Sequence, residues 1–87
     1  MNKTIKTALV AVVAVSAFPL VAAADRAPTG EERARIAETL RANGFTSWRK
    51  VELDDGKWEV DDARHSNGRL YDVDLSRSYN IIKRDLE

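Results

Sequence analysis

Two turn dipeptides, Asp55-Gly56 and Asn67-Gly68, constrain the fold of this 87-residue chain more than any other feature of its sequence. Each dipeptide is flanked by residues that alternate between apolar and polar. An Asp-Gly or Asn-Gly pair in that setting favours a two-residue β-hairpin turn. The stretch 48–75 is therefore predicted to fold as a three-stranded antiparallel meander.

Both turns predict the register of the meander, because facing residues on either side of a two-residue turn keep a constant sum of positions. The expected pairs are Leu53–Trp58, Val51–Val60, Arg49–Asp62, Val60–Leu75, Asp62–Val73 and Arg64–Tyr71. One face of the sheet is then apolar and comprises Val51, Leu53, Trp58, Val60, Tyr71, Val73 and Leu75. The opposite face is polar and mostly acidic, with Asp61 opposite Asp74 and Glu52 opposite Glu59. It comprises Lys50, Glu52, Lys57, Glu59, Asp61, Asp72 and Asp74.

A helix precedes the meander. Thr29 stands three residues before Glu32 in a capping-box arrangement, so the helix is predicted to begin at about Gly30. It should stop at Asn43, with Gly44 in the left-handed conformation that ends many helices. Its narrow apolar stripe, wide enough to lie on one face of a sheet, comprises Ile36, Ala37 and Leu40.

A final strand is predicted from Ile81 to Leu86, after a loop in which Asn80 suits a left-handed position. These elements predict an α+β fold in which one N-terminal helix packs on a three- to four-stranded antiparallel meander sheet. Such an open sheet leaves an edge unpaired, which a partner strand can extend and which charged residues can protect. The sequence leaves both alternatives open.

The N-terminus has the pattern of a secretory signal peptide over residues 1–24. Lys3 and Lys6 precede an apolar run, and three alanines at 22–24 suit signal peptidase. Cleavage would leave about 60 residues, read as an exposed lead-in (25–28) and one domain (29–87). A secreted, periplasmic location follows. The chain has no cysteine for a disulfide or a lipid anchor, and the mildly acidic remainder argues against nucleic-acid binding.

Three segments taken together resemble the PepSY domain, in particular its small, secreted, single-domain bacterial members. They are Leu-Arg-Ala-Asn-Gly-Phe at 40–45, Val-Glu-Leu-Asp-Asp-Gly-Lys-Trp-Glu-Val at 51–60 and Ser-Asn-Gly-Arg-Leu-Tyr-Asp-Val-Asp-Leu at 66–75. The resemblance covers about residues 29–83. It implies a non-catalytic α+β module outside the cytoplasm that binds or restrains proteases or other envelope proteins.

The chain departs from the family pattern at the third turn. The family commonly has Asp-Pro-x-Thr-Gly there, whereas this sequence has Ser-Arg-Ser-Tyr-Asn at 76–80. Asn80 can adopt the backbone conformation of the family's glycine, so the fold is expected to persist. Any recognition role of the family's usual loop is not carried over to this chain.

No catalytic residue, cofactor site or metal site is predicted. His65, the only histidine, has no second histidine or cysteine at ligand spacing, so we expect a solvated turn residue. The serines lie in loops or at turns, without a histidine placed to activate them. A hard cation such as Ca²⁺ is an alternative ligand for the acidic face, although parallel strand carboxylates seldom enclose an ion.

The sequence thus predicts a non-enzymatic secreted binding or inhibitory module, with an envelope or secreted protein, such as a protease, as its partner. A small ion or ligand sensor that uses the acidic face is the alternative function. Exposed aromatic residues beside arginines can anchor a protein partner, and packing at the edge of a small core is their other explanation. The predicted partner-binding residues are Trp48, Glu59, Asp61, Asp72, Asp74 and Tyr79.

Overall fold

The computed structural model describes residues 24–87, which form one α-helix and five β-strands. The elements are α1 (Gly30–Ala42), β1 (Phe45–Ser47), β2 (Lys50–Asp54), β3 (Lys57–His65), β4 (Leu70–Leu75) and β5 (Ile81–Leu86). The predicted α+β class is confirmed, and the short strand β1 raises the strand count to five. The predicted signal peptide lies outside the described residues except for its last position, Ala24.

Every strand pair in the sheet is antiparallel, and β3 pairs with three neighbours. On one side, β2 pairs with the N-terminal part of β3 and β1 with its C-terminal end. On the other side, β4 pairs with β3 and β5 pairs with β4. Because β3 alone spans both β1 and β2, it is the central strand of the fold.

The lead-in to the helix covers part of the β2 edge. Arg26 and Leu53 exchange two backbone hydrogen bonds, of 3.2 and 2.7 Å. Residues 25–27 are exposed, whereas Pro28 is buried. The lead-in thus shields β2 at Leu53, while within residues 24–87 no strand pairs with the far side of β5.

The helix begins as the sequence predicts. The N–H of Glu32 donates to Oγ1 of Thr29 at 3.2 Å, and the Glu32 carboxylate accepts the Thr29 N–H at 2.9 Å. At the other end, Asn43 is the cap and Gly44 has a φ of 91°. A β-carbon at Gly44 would lie 2.6 Å from Nε2 of His65, so this glycine also permits a close approach between helix end and sheet.

The first hairpin has the predicted register. Leu53 lies opposite Trp58 and Val51 opposite Val60. The turn residues Asp55 and Gly56 have φ values of 54° and 78°. Two consecutive positive φ angles are what a type I′ hairpin turn requires.

The predicted register of the second hairpin is wrong. The N–H of His65 donates to the carbonyl of Arg69, so the connection has three residues rather than two. A β-bulge between Val60 and Ala63 then shifts the pairing once more. The observed pairs are Trp58–Leu75, Glu59–Asp74, Val60–Val73, Ala63–Tyr71 and Arg64–Leu70.

The two register shifts explain why the predicted core survives. Together they amount to two residues, which is the side-chain period of a strand, so the β4 residues keep their predicted faces. Beyond the bulge Ala63, instead of Asp62, points into the core. The buried apolar residues are Ile36, Leu40, Phe45, Leu53, Trp58, Val60, Ala63, Val73 and Leu75.

The turn between β4 and β5 places its left-handed residue one position earlier than predicted. Tyr79 has a φ of 69°, and Asn80 is not among the residues with positive φ. The N–H of Asn80 donates to the Ser76 hydroxyl at 3.2 Å, which holds it in the turn. The carbonyl of Tyr79 accepts a 2.8 Å hydrogen bond from Thr39 of the helix, so the helix fixes this turn to the sheet.

Candidate binding surface

Carboxylates cross the sheet face that points away from the helix, which we call the outer face. Glu52 of β2 lies opposite Glu59 of β3, as predicted, and Glu59 lies opposite Asp74 of β4. Lys83 of β5 completes this transverse row. The predicted pairing of Asp61 with Asp74 is wrong, since Asp61 faces Lys50. Like charges on directly facing residues destabilise a sheet.

Glu59 lies at the centre of this row, and its surroundings shift the pKa of its carboxyl group. Partial burial raises the pKa of its carboxyl, and the nearby Asp54 carboxylate raises it further. The ammonium of Lys57, 3.5 Å from Oε2 of Glu59, acts in the opposite direction. The net shift of the Glu59 pKa is upward, so the single lysine does not offset the combined effect of burial and of the Asp54 carboxylate.

A second acidic group forms around the bulge. Carboxylate atoms of Asp62, Asp72 and Glu87 lie within 4.8 Å of one another. The N–H of Asp62 donates to Oδ1 of Asp72 at 3.1 Å, and Arg49 donates from Nε to the Asp62 carboxylate at 2.5 Å. Arg49 is also 3.5 Å from Asp61.

Two members of this group, Asp62 and Glu87, have pKa values that are shifted in opposite directions. A hydrogen bond from Arg49 lowers the pKa of Asp62. A hydrogen bond with Asp62 raises the pKa of Glu87 to about 7, and partial loss of hydration and the Asp72 carboxylate add to the increase. The Glu87 side chain therefore holds a proton between itself and Asp62 over much of the acidic pH range.

Sequence reasoning missed Asp62 and Glu87 as members of the acidic surface. Regular alternation placed Asp62 on the inner face, and Glu87 follows the last predicted strand. The adjacent pair Asp61-Asp62 was the available signal, because it interrupts the alternation of β3, and the extra residue of a bulge does the same. Of the predicted site residues, the structure places Glu59, Asp61, Asp72 and Asp74 together on the outer face.

The predicted aromatic anchors lie elsewhere, on the helix side of the sheet. Trp48 and Tyr79 are both half-buried and pack against the core. The guanidinium of Arg41 lies 5.1 Å from the Trp48 ring, and that of Arg35 lies 4.9 Å from the Tyr79 ring. The structure does not bring these two aromatic residues together with the four carboxylates.

His65 is half-buried, and both of its ring nitrogens have hydrogen-bond partners. Nδ1 accepts the N–H of Asn67 at 3.0 Å, so Nε2 carries the hydrogen and donates it to the carbonyl of Asn43 at 3.1 Å. The ring also packs edge-on against Phe45, with centroids 4.9 Å apart. His65 thus joins the helix end to the second hairpin.

Residues 24–87 form no enclosed pocket. They also contain no helix long and apolar enough to cross a membrane. A family model described as the peptidase propeptide and YPEB domain, PepSY_2, matches residues 6–85. The chain belongs to this PepSY family. No curated protein and no solved structure matches the chain.

The family match covers the helix, all five strands except the last residue of β5, and the divergent turn at 76–80. The departure of that turn from the usual PepSY sequence therefore lies within a recognisable PepSY domain. Its conformation has a local cause, since a backbone hydrogen bond from Ser76 to Asn80, 2.8 Å long, closes it.

Proposed function

We propose that this PepSY domain is a non-enzymatic binding module that is secreted to the periplasm, where its outer face engages a basic surface of an envelope or secreted protein. A protease is the partner class that the family description suggests. The observation that carries the proposal is the row formed by Glu52, Glu59 and Asp74, three carboxylates on directly facing strand positions. Binding would act by inhibition or restraint of the partner.

The carboxylate row has an energetic cost in the free protein. Facing like charges destabilise a strand pair by a few tenths of a kcal/mol up to about 1 kcal/mol. A basic partner surface would relieve this repulsion, so the same residues that weaken the isolated fold would strengthen a complex. Complementary charge also accelerates association, and that acceleration falls as salt is added.

A binding role without catalysis agrees with the shape of the described residues. They offer no enclosed pocket in which a substrate could be desolvated. The imidazole of His65 already hydrogen-bonds through both nitrogens, to Asn43 and Asn67, so it has no free nitrogen to act as a base. Among the six predicted partner-binding residues, we retain the carboxylates and assign Trp48 and Tyr79 to packing.

The proposal can be tested by crosslinking in the cell envelope. A photoreactive amino acid placed at Glu52 should attach the protein to a specific partner, whereas the same group at Glu38, exposed on the helix, should not. The double variant Glu59→Lys/Asp74→Lys should abolish attachment from position 52 while leaving the circular dichroism spectrum unchanged. Equal crosslinking from positions 52 and 38, or a complex insensitive to this charge reversal, would count against the outer face.

Cation sensing is the second candidate function, and the cluster of Asp62, Asp72 and Glu87 is the observation that favours it. Carboxylate oxygens are the ligands that Ca²⁺ prefers. Arg49 already neutralises part of the charge, which weakens the case for an ion. Titration with Ca²⁺ up to millimolar concentrations should move the amide NMR signals of Asp62 and Asp72 if the protein is a sensor, and unchanged signals would exclude this function.

A further inference from the structure

The outer edge of β5 is the longest uncovered strand edge in the described part of the chain. β2 is shielded at Leu53 by the lead-in, and β1 has only three residues. Ile82 and Leu86, 57% and 53% exposed, are the large apolar side chains exposed in the described residues, and both belong to β5. An edge that exposes apolar side chains along an unpaired backbone favours addition of another strand.

The direction of the backbone groups of β5 follows from one hydrogen bond. The N–H of Glu87 donates to the carbonyl of Leu70 at 3.0 Å, so this residue directs its backbone groups toward β4. Backbone groups alternate in direction along an antiparallel strand. Lys83 and Asp85, in register with this pair, therefore face β4 as well, while Arg84 and Leu86 present their N–H and carbonyl groups to the free edge.

We infer that β5 is a self-association edge, through which two copies of this chain pair antiparallel and form one continuous sheet. The register is set by placing Arg84 opposite Arg84 of the second copy. Each Lys83 then faces Asp85 of the other chain, so the interface holds two such pairs. This inference does not depend on the function proposed for the outer face.

Other registers are less favourable. A shift of two residues in one direction places Lys83 opposite Lys83 of the second copy, and in the other direction Asp85 opposite Asp85. A shift of one residue turns the free backbone groups of Arg84 and Leu86 away from those of the partner strand. Only the register centred on Arg84 combines paired backbone groups with opposite charges.

In this register Arg84 of one copy faces Arg84 of the other, but their charges do not point at each other across the interface. The guanidinium of Arg84 lies 5.2 Å from the Phe45 ring and 5.7 Å from the Tyr71 ring of its own chain. This cation–π arrangement draws the charge over the inner face, away from the edge. Facing residues of an antiparallel pair share a sheet face, so the dimer would present both acidic outer faces on one side and both helices on the other.

Charge exchange between two variants tests both the interface and its register. The full chain, expressed with its natural N-terminal processing and checked by mass spectrometry, should sediment as a concentration-dependent dimer. Lys83→Asp and Asp85→Lys should each raise the dissociation constant of the dimer at least about tenfold, because each creates two facing like-charge pairs. An equimolar mixture of the two variants should recover the dimer. In the mixed pair, both acidic side chains of one β5 strand face both basic side chains of the other.

Controls separate association from folding. Lys50→Asp makes the same charge change on β2, at the opposite edge, and should leave the dimer intact. Circular dichroism melting of each variant measures whether its fold is retained. Wild-type protein that is monomeric at about 1 mM would overturn the inference. So would a dimer that survives both β5 changes, a dimer lost in Lys50→Asp, or folded variants that stay monomeric when mixed.

Discussion

The backbone N–H of Asp62 donates a hydrogen bond to the Asp72 carboxylate, 3.1 Å away across the gap between β3 and β4. Asp62 has a φ of 53°, in the left-handed region where side chains other than glycine are disfavoured. The Asp72 carboxylate thus accepts the N–H of a residue that the bulge takes out of the regular strand pairing. Side-chain contacts therefore help to hold the bulge that turns Ala63 into the core.

Replacement of Asp62 by valine should lower the melting temperature by roughly 5–10 °C, because a β-branched residue is strained at positive φ. Asp62→Asn should cost much less, since asparagine tolerates this conformation. Asp61→Val, the matched change at the preceding residue without positive φ, should have little effect. Thermal unfolding followed by circular dichroism measures all three, and an equal loss at positions 61 and 62 would contradict the backbone explanation.

The fold was largely predictable because its signals are local. The capping box at Thr29, the left-handed Gly44 and the turn at Asp55-Gly56 depend on residues close together in sequence. The register of β3 against β4 was not predictable, since it depends on a three-residue connection and on the bulge at Asp62. The bulge is held by the hydrogen bond from Asp62 to Asp72 on the next strand, and the connection by bonds within the turn and from His65 to the helix end. Alternation along a single strand reveals neither.

The outer face was predictable in composition and less so in arrangement. Alternation placed Glu59, Asp61, Asp72 and Asp74 on one face correctly, because the register errors add up to one side-chain period. The neighbours of each carboxylate depend on the exact register, so the predicted pairing of Asp61 with Asp74 failed. The contact between Asp62 and Glu87 joins positions distant in sequence and required the structure.

The proton held by Glu87 predicts a pH-dependent stability. Its pKa rises to about 7 in the folded protein, from an ordinary value of 4.5, so the folded state binds the proton more tightly. This contribution to stability is fully present below pH 4.5 and is lost as the pH rises through about 7. Chemical denaturation between pH 4 and 8 should detect the loss. Glu87→Gln should remove it, whereas Glu38→Gln should preserve it.

The capping box predicts the opposite pH dependence, in acid. Hydrogen bonds from Arg26 and from the Thr29 backbone lower the pKa of Glu32 to about 2, from an ordinary value of 4.5. The resulting stability is present above pH 4.5 and is lost as the pH falls toward 2. Glu32→Gln should flatten this part of the stability profile, and Glu31→Gln, one residue earlier in the same helical turn, should not. An unchanged profile in Glu32→Gln would contradict the assignment.

The close approach of the helix end to the sheet predicts an unequal cost for two glycine substitutions. Gly56→Ala should cost about 1–2 kcal/mol for its left-handed conformation alone, since a β-carbon there has no neighbour within 4 Å. Gly44→Ala should cost about 1 kcal/mol more, because the new methyl group displaces the His65 ring from its hydrogen bonds. In a His65→Ala background the two costs should become similar, and a difference that persists there would place the conflict elsewhere.

The carboxylate row predicts that stability and binding respond in opposite directions to one substitution. Glu59→Gln removes the charge between Glu52 and Asp74, and should raise the free energy of unfolding by about 0.5 kcal/mol. The same variant should weaken attachment to the proposed basic partner. Glu38→Gln, on the exposed helix surface, should change neither quantity. Denaturant titration gives the stability and crosslinking from position 52 gives the binding. A variant that is both less stable and fully able to bind would show that the row serves the fold rather than a partner.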